Sequence, residues 1–233
     1  MSNLLQAERI SYSYTGYLVL VDIDFKLDST DIIALIGPNG AGKSSLLGVL
    51  SGLFRPDSGS VKFDGRDITN VPAEQRVHLG IVHLTEGRGI FSELTVRENL
   101  LVGGWSARST DLAPVVELIP ELIEILDSTA GRLTSDEQQL CAFGRVLMAR
   151  PRLLLIDELS LGLSPVATDR LLGLLPDIAA RGTAIVVVEQ DIERVLALVD
   201  RAYVIESGSI VKIGTPYELL TDQDFVDDYL WGS

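Results

Sequence analysis

The stretch DIIALIGPNGAGKSSLLGVLSGL, residues 31–53, constrains this chain more than any other. DIIALIG is apolar throughout, as a parallel strand buried on both faces must be. A glycine-rich turn follows, and KSSLLGVLSGL predicts a helix. Gly37 to Ser45 fits Gly-x4-Gly-Lys-Ser/Thr and stands where its mechanism requires, between a buried strand and a helix. Glycines let successive backbone N–H groups turn toward one anion, making a phosphate nest at a helix N-terminus. The pattern therefore predicts a nucleoside-triphosphate site. Its cradle is Gly37, Pro38, Asn39, Gly40, Ala41, Gly42 and Ser45; Lys43 is expected to reach the β- and γ-phosphates, and Ser44 to bind Mg²⁺.

The rest of the chain builds around that unit. Residues 4–28 alternate in short apolar and polar runs, which reads as antiparallel strands. Residues 57–68, DSGSVKFDGRDI, predict a hairpin with an Asp-Gly turn. From about 95 to 150 the pattern is helical. RLLLIDE is a second buried strand, followed by a helix near 166–181, the strand TAIVVVE, a hairpin in RAYVIESGSIVKIG and a C-terminal helix in PYELLTDQDFVDDYL. Strand–helix alternation around a helical insertion indicates an α/β fold with a parallel sheet.

Composition narrows the function. At 233 residues and 46% hydrophobic, the chain suits one large domain. A net charge of −14 repels phosphate backbones, and no basic stripe offsets it, so nucleic acid is not an expected partner. No apolar run approaches the roughly 18–20 residues that span a bilayer. Cys141 is the single cysteine, which excludes an intrachain disulfide. His78 and His83 have no Cys or acidic neighbour at metal-ligand spacing, so neither is expected to hold a metal. The expected location is cytoplasmic, with any membrane contact made through a partner.

A second chemical signal closes RLLLIDE. Asp157, at the C-terminal tip of a parallel strand, is suited to the Mg²⁺ shell beside the phosphate loop, and Glu158 to polarising an attacking water. The phosphate loop, EQQLCAFGRVLMARPRLLLIDE and GSIVKIGTPYELL together resemble the ATP-binding subunit of an ABC transporter. EGRGIFSELTVRENLLVGG, SLGLSP, VVEQD and the closing YLWG are similar to one branch, the ATPases of branched-chain amino-acid uptake.

The resemblance implies a P-loop NTPase core with a mostly parallel sheet, a small antiparallel β subdomain and a helical subdomain at approximately 87–150. It implies one nucleotide-binding domain over 1–233, peripheral on the inner face of the cell membrane, that binds ATP and Mg²⁺ and works with permease subunits and a second ABC ATPase. Tyr14 matches the aromatic that stacks on adenine, with Tyr12 and Tyr17 as rivals. Glu86 occupies the usual place of a glutamine that senses Mg²⁺ and the membrane partner. Gln190 stands where many relatives carry a γ-phosphate-contacting His; an amide donates a hydrogen bond there but does not titrate.

LTSDEQQ, residues 133–139, occupies the place of the family's signature motif, which completes the ATP site of the opposing subunit. Thr134 keeps a hydroxyl, but Ser135 and Asp136 replace both glycines. A side chain obstructs close backbone approach to phosphate. Two unit charges about 4 Å apart also repel by roughly 1 kcal/mol in water and about 4 kcal/mol at an effective dielectric near 20. On one reading Asp136 weakens the shared site; on the other it turns away while the box Thr134-x-x-Glu137 keeps the helix capped. The first predicts pairing with a non-identical paralogue. It also motivates an alternative function, an ATP-binding regulatory or assembly subunit with little hydrolysis, to which Leu159 adds support by standing where relatives usually carry Pro.

Overall fold

The computed structural model describes residues 3–87 and 89–230. Strands β1 (Leu5–Tyr14), β2 (Tyr17–Leu27), β4 (Ser58–Phe63) and β5 (Arg66–Asp67) make an antiparallel sheet in the order β2-β1-β4-β5. The second sheet contains β3 (Ile32–Ile36), β6 (Ile81–Leu84), β7 (Leu153–Asp157), β8 (Ala184–Val188), β9 (Arg201–Glu206) and β10 (Ser209–Gly214). Its order is β10-β9-β3-β8-β7-β6, parallel except for the antiparallel edge strand β10.

The unbroken apolar runs are explained by two cores, one on each face of this second sheet. Ile32, Ala34 and Ile36 of β3 enter one core, whereas Ile33 and Leu35 enter the other. Leu154 and Ile156 of β7, and Ile185 and Val187 of β8, join the first; Leu153, Leu155, Val186 and Val188 join the second. A period-two strand fed from both sides has no polar face to show.

Helices α1 (Lys43–Ser51) and α2 (Ala73–Leu79) lie on the side of the antiparallel sheet. Helices α3 (Val96–Gly103), α4 (Ala113–Leu118), α5 (Leu122–Ile125) and α6 (Ser135–Met148) fill the segment between β6 and β7. Helices α7 (Pro165–Leu172), α8 (Leu175–Ala180), α9 (Ile192–Leu196), α10 (Pro216–Leu220) and α11 (Gln223–Tyr229) complete the fold.

Three long helical stretches are in fact interrupted. Pro176 divides the helix expected near 166–181 into α7 and α8, because proline brings no N–H and its ring clashes with the preceding turn. Pro120 separates α4 from α5 in the same way. The C-terminal helix breaks at Thr221–Asp222, where Thr221 Oγ1 donates back to Tyr217 O at 2.8 Å and Asp222 caps α11 by accepting from Phe225 N at 3.0 Å. Tryptophan and glycine of the closing YLWG, Trp231 and Gly232, lie outside the described residues.

Helix α2 has no counterpart in the sequence reading, and it carries Arg76, which is fully buried. Its guanidinium donates to Val49 O and Leu50 O at 2.9 and 2.8 Å, to Ile68 O at 2.6 Å, to Val71 O at 2.7 Å and to Thr69 O at 3.3 Å. The first two are carbonyls of the last turn of α1, where intrahelical donors run out; Val49 O also accepts from the capping Gly52 N–H at 3.2 Å. Burial lowers the Arg76 pKa to about 10, so the group stays cationic at neutral pH. Arg76 thus fixes the C-terminal end of the helix whose N-terminus bears the phosphate loop. Arg76→Met takes the guanidinium donors from Leu50 O, Thr69 O and Val71 O, at about 1–3 kcal/mol for each left unsatisfied, while Val49 O and Ile68 O keep the backbone donors Gly52 and Val71. We expect calorimetry to show unfolding at least about 6 °C lower; a shift under about 2 °C would contradict this role.

Candidate nucleotide site

The parallel strands β3, β8 and β7 lie side by side and end at one level, with Asp157 paired opposite Val188. The loops that follow them therefore open into one crevice, the position where open α/β sheets bind ligands. From β3 comes the glycine loop. A Cβ on Gly37 would stand 2.0 Å from Ile205 O, and one on Gly42 would meet Leu20 at 2.8 Å with φ at +108°. Neither position has room for a side chain, so the loop is pressed onto β9 and β2 with its outer face free. Ala41 is buried inside the loop, whereas Pro38, Asn39 and Gly40 are exposed.

Lys43 folds back over this loop, donating to Gly37 O at 2.7 Å and Pro38 O at 3.0 Å. Burial lowers its pKa, against the opposing pull of Glu158 and Asp157. Ser44 Oγ donates to Asp157 Oδ1 at 3.1 Å, joining residues 113 positions apart. Asp157 is 7% exposed. Burial raises its pKa, assisted by Glu158 and Glu86 and opposed by the Ser44 bond and Lys43. A hydroxyl and a carboxylate are hard oxygen donors, and Mg²⁺ takes one or two carboxylates together with substrate phosphates. The residues present fit that ion.

Glu158 follows with φ at +51°, its N–H donating to Val188 O at 3.0 Å. Gln190 Nε2 donates to Glu158 Oε2 at 3.1 Å. Gly37, Pro38, Asn39, Lys43, Glu158 and Gln190 line one cavity. Tyr14 is exposed and shares a neighbouring cleft with Ser44, Ser45 and Asp157. Tyr12 is instead buried and stacked on Phe54 at 5.2 Å, and Tyr17 is exposed at the hairpin end. Glu86 lies in the turn after β6 and lines a third cleft with Glu158 and Gln139. His83 hydrogen-bonds Ser51 Oγ through Nδ1 at 3.1 Å, and burial lowers its pKa to about 4.

The signature stretch contributes no residue to the cavity beside Lys43, although its Gln139 reaches the cleft shared by Glu86 and Glu158. Thr134 caps α6, and both halves of the capping box with Glu137 are present, at 3.3 and 2.9 Å. Ser135 is exposed at the first helical position. Asp136 accepts from Ser164 N at 3.1 Å and from Ser164 Oγ at 2.6 Å. Ser164 in turn caps α7, accepting from Ala167 N at 3.2 Å. The carboxylate thereby bridges the N-terminal ends of two helices, where acids are favoured.

Other residues enter the main cavity unannounced. Glu189, Glu206, Asp228 and Tyr229 line it as well, and Tyr229 hydrogen-bonds Glu206. Glu189 is 6% exposed, and burial raises its pKa against the opposing Ser160 hydrogen bonds. Its signal in the sequence is an acid directly after five apolar strand residues, in VVEQD.

Residues 20–160 match the model of the ABC transporter family. The high-affinity branched-chain amino acid transport ATP-binding protein BraG of Pseudomonas aeruginosa is 38% identical, over 98% of this chain and 100% of its own length. The lipopolysaccharide export system ATP-binding protein LptB of Haemophilus influenzae is 32% identical, over 98% and 97%. The ADP conformation of MJ1267, an ATP-binding cassette of an ABC transporter, superposes with a TM-score of 0.87 at 27% identity, covering 99% of both chains. Sequence, fold and crevice agree: this chain belongs to the ABC transporter family, as one of its ATP-binding, ATP-hydrolysing subunits.

Proposed function

We propose that the chain powers uptake of branched-chain or related amino acids, as one of two ATPase subunits on the inner face of a membrane permease. The observation that carries the ATPase chemistry is the Ser44–Asp157 hydrogen bond beside Lys43 and the Glu158–Gln190 pair. The BraG likeness carries the cargo class and favours a transport engine over a regulatory subunit. Among the described residues no helix is long and apolar enough to cross a membrane, so the membrane contact falls to a partner. Residues 1–233 act as one nucleotide-binding domain, with the helical lobe at about 87–150.

ATP is the substrate, and its triphosphate lies along the glycine loop at the N-terminus of α1. Lys43 exchanges its two loop carbonyls for phosphate oxygens, a trade that costs it no buried unpaired charge. Ser44 and Asp157 supply oxygens to Mg²⁺, which neutralises phosphate charge when bound. Glu158 accepts a hydrogen bond from the attacking water and polarises it toward the γ-phosphate. Gln190 holds the Glu158 carboxylate through one oxygen and leaves the other for water. Tyr14 stacks on the adenine, and Glu86 relays the state of the site toward the permease.

The second subunit is a non-identical paralogue. Its signature motif completes the site built on Lys43, whereas Thr134, Ser135, Asp136 and Glu137 complete the opposite site poorly. What supports this asymmetry is the missing glycine pair, since Ser135 and Asp136 stand where backbone must meet phosphate. The intact capping box and the Asp136–Ser164 bonds belong to the other reading, in which the carboxylate turns aside, so the asymmetry rests on the backbone positions and not on the Asp136 charge.

The purified chain alone turns over ATP slowly, and adding the paralogous ATPase raises the rate at least about tenfold, the effect of removing a barrier of about 1.4 kcal/mol. Brisk turnover by the chain alone would contradict the asymmetric pair. Asp136→Gly, combined with Ser135→Gly, speeds the chain alone by a similar factor; an unchanged rate would show that the signature stretch is not the defect. Loss of leucine uptake on deletion of the gene, with sugar uptake intact, tests the cargo class.

A further inference from the structure

Glu189 directly follows a strand of aliphatic residues and is almost completely buried. Burying an acid costs free energy unless its oxygens are bonded. Here both are bonded to the same residue. Ser160 donates its backbone N–H to Oε1 at 2.9 Å and its hydroxyl to Oε2 in a short hydrogen bond. Ser160 stands two positions beyond Glu158, with the buried side chain of Leu159 between them.

The turn that this pairing closes is strained. Glu158 lies in the left-handed region at φ +51°. Such a conformation costs a side-chain-bearing residue on the order of 1–3 kcal/mol and persists only where the surroundings over-determine it. Before the strained residue, the restraint is the ladder bond from Glu158 N to Val188 O, 3.0 Å. After it come a long turn bond from Leu161 N to Glu158 O, 3.4 Å, and the pair of shorter bonds from Ser160 to Glu189. Gln190 meanwhile touches the Glu158 carboxylate itself. Three consecutive residues, Val188, Glu189 and Gln190, thus grip the turn at its backbone, its far end and its functional group. Leu159 contributes no ring to fix φ, so Glu189 supplies the side-chain hold on the far end beside the backbone bonds from Leu161 N to Glu158 O and from Leu163 N to Ser160 O.

We propose that Glu189 is a positioning residue for hydrolysis: by holding Ser160, it keeps the left-handed turn that aims the Glu158 carboxylate at the attacking water. The proposal rests on the reading of Glu158 as the group that polarises water. Glu189 borders the cavity, but its side chain is nearly buried and both oxygens are bonded to Ser160, so it acts through the turn. Misplacing a catalytic group by about 1 Å can cost roughly 100-fold. The loss falls on turnover, because the groups that bind phosphate sit on another loop.

The test is a series of variants in the complete transporter, purified through a tag on this chain, with kcat and KM for ATP and direct nucleotide binding measured on each. Glu189→Ala lowers kcat by roughly 10- to 100-fold with KM and nucleotide binding within about twofold. Glu189→Gln restores most of the rate, because its amide oxygen still accepts the Ser160 N–H and its NH₂ donates to the Ser160 hydroxyl. Ser160→Ala, which loses only the hydroxyl contact, falls between them. Adding Glu189→Ala to Glu158→Gln causes no further loss, as expected of residues that act as one unit. An unchanged kcat in Glu189→Ala, a raised KM in its place, or an equal further loss on the Glu158→Gln background each overturns the proposal. The two readings fail separately. If Glu158→Gln silences the complex while Glu189→Ala runs at the normal rate, positioning alone is wrong. If Glu158→Gln is fully active, the role of Glu158 is wrong and positioning falls with it.

Discussion

The parallel ladder across β3, β8 and β7 is the constraint on which the site depends. β8 lies between the other two strands, pairing Leu35 with Val188 on one side and Asp157 with Val188 on the other. One residue of β8 therefore sets the level of both the phosphate loop and the Asp157–Glu158 pair. Ser44 and Asp157 meet at 3.1 Å because these strand ends are in register, not because of any local sequence relation. A slip of one residue would invert every side chain and exchange the residues of the two cores. The alternating aliphatic residues that make such a slip costly are the same ones that make the strands look featureless in sequence.

Around that ladder the protein solves an electrostatic problem. The cavity beside Lys43 is lined by Glu158, Glu189, Glu206 and Asp228, although the substrate is an anion. Most of this charge is already engaged. Glu189 is bonded to Ser160, Glu206 to Tyr229 and Glu158 to Gln190. On the proposed reading, attraction for phosphate then comes from Lys43, from loop N–H groups and from the N-terminus of α1. Arg76 anchors the other end of that helix, so the position of the loop is determined at both ends.

Much of this was legible in the sequence. GPNGAGKSS and RLLLIDE identify the loop and the two acids because their chemistry needs fixed residue types at fixed spacing. Strand–helix alternation gave the sheet, and two interior prolines account for helices that periodicity alone joined together. What was hidden depended on tertiary partners. Nothing near Arg76 in the chain signals that five carbonyls surround it. Asp136 presented two readings because its partner, Ser164, lies 28 residues away. Glu189 was overshadowed by Gln190 beside it, although in the loop after β8 the two reach different partners, Ser160 and Glu158. Asp228 and Tyr229 reach the cavity only because the chain breaks at Thr221–Asp222 and packs α11 back against β9.

The proposed motor has two unequal ATP sites: on that reading the site on this chain's own Lys43 does the work, and the site that it completes for its partner does little. The most direct measurement is vanadate trapping of a photoreactive ATP analogue in the assembled transporter, followed by counting label on each ATPase chain. Unequal sites predict trapped nucleotide cross-linked predominantly to this chain, with Lys43→Ala removing it. Equal label on both chains, or label confined to the partner, would contradict the account.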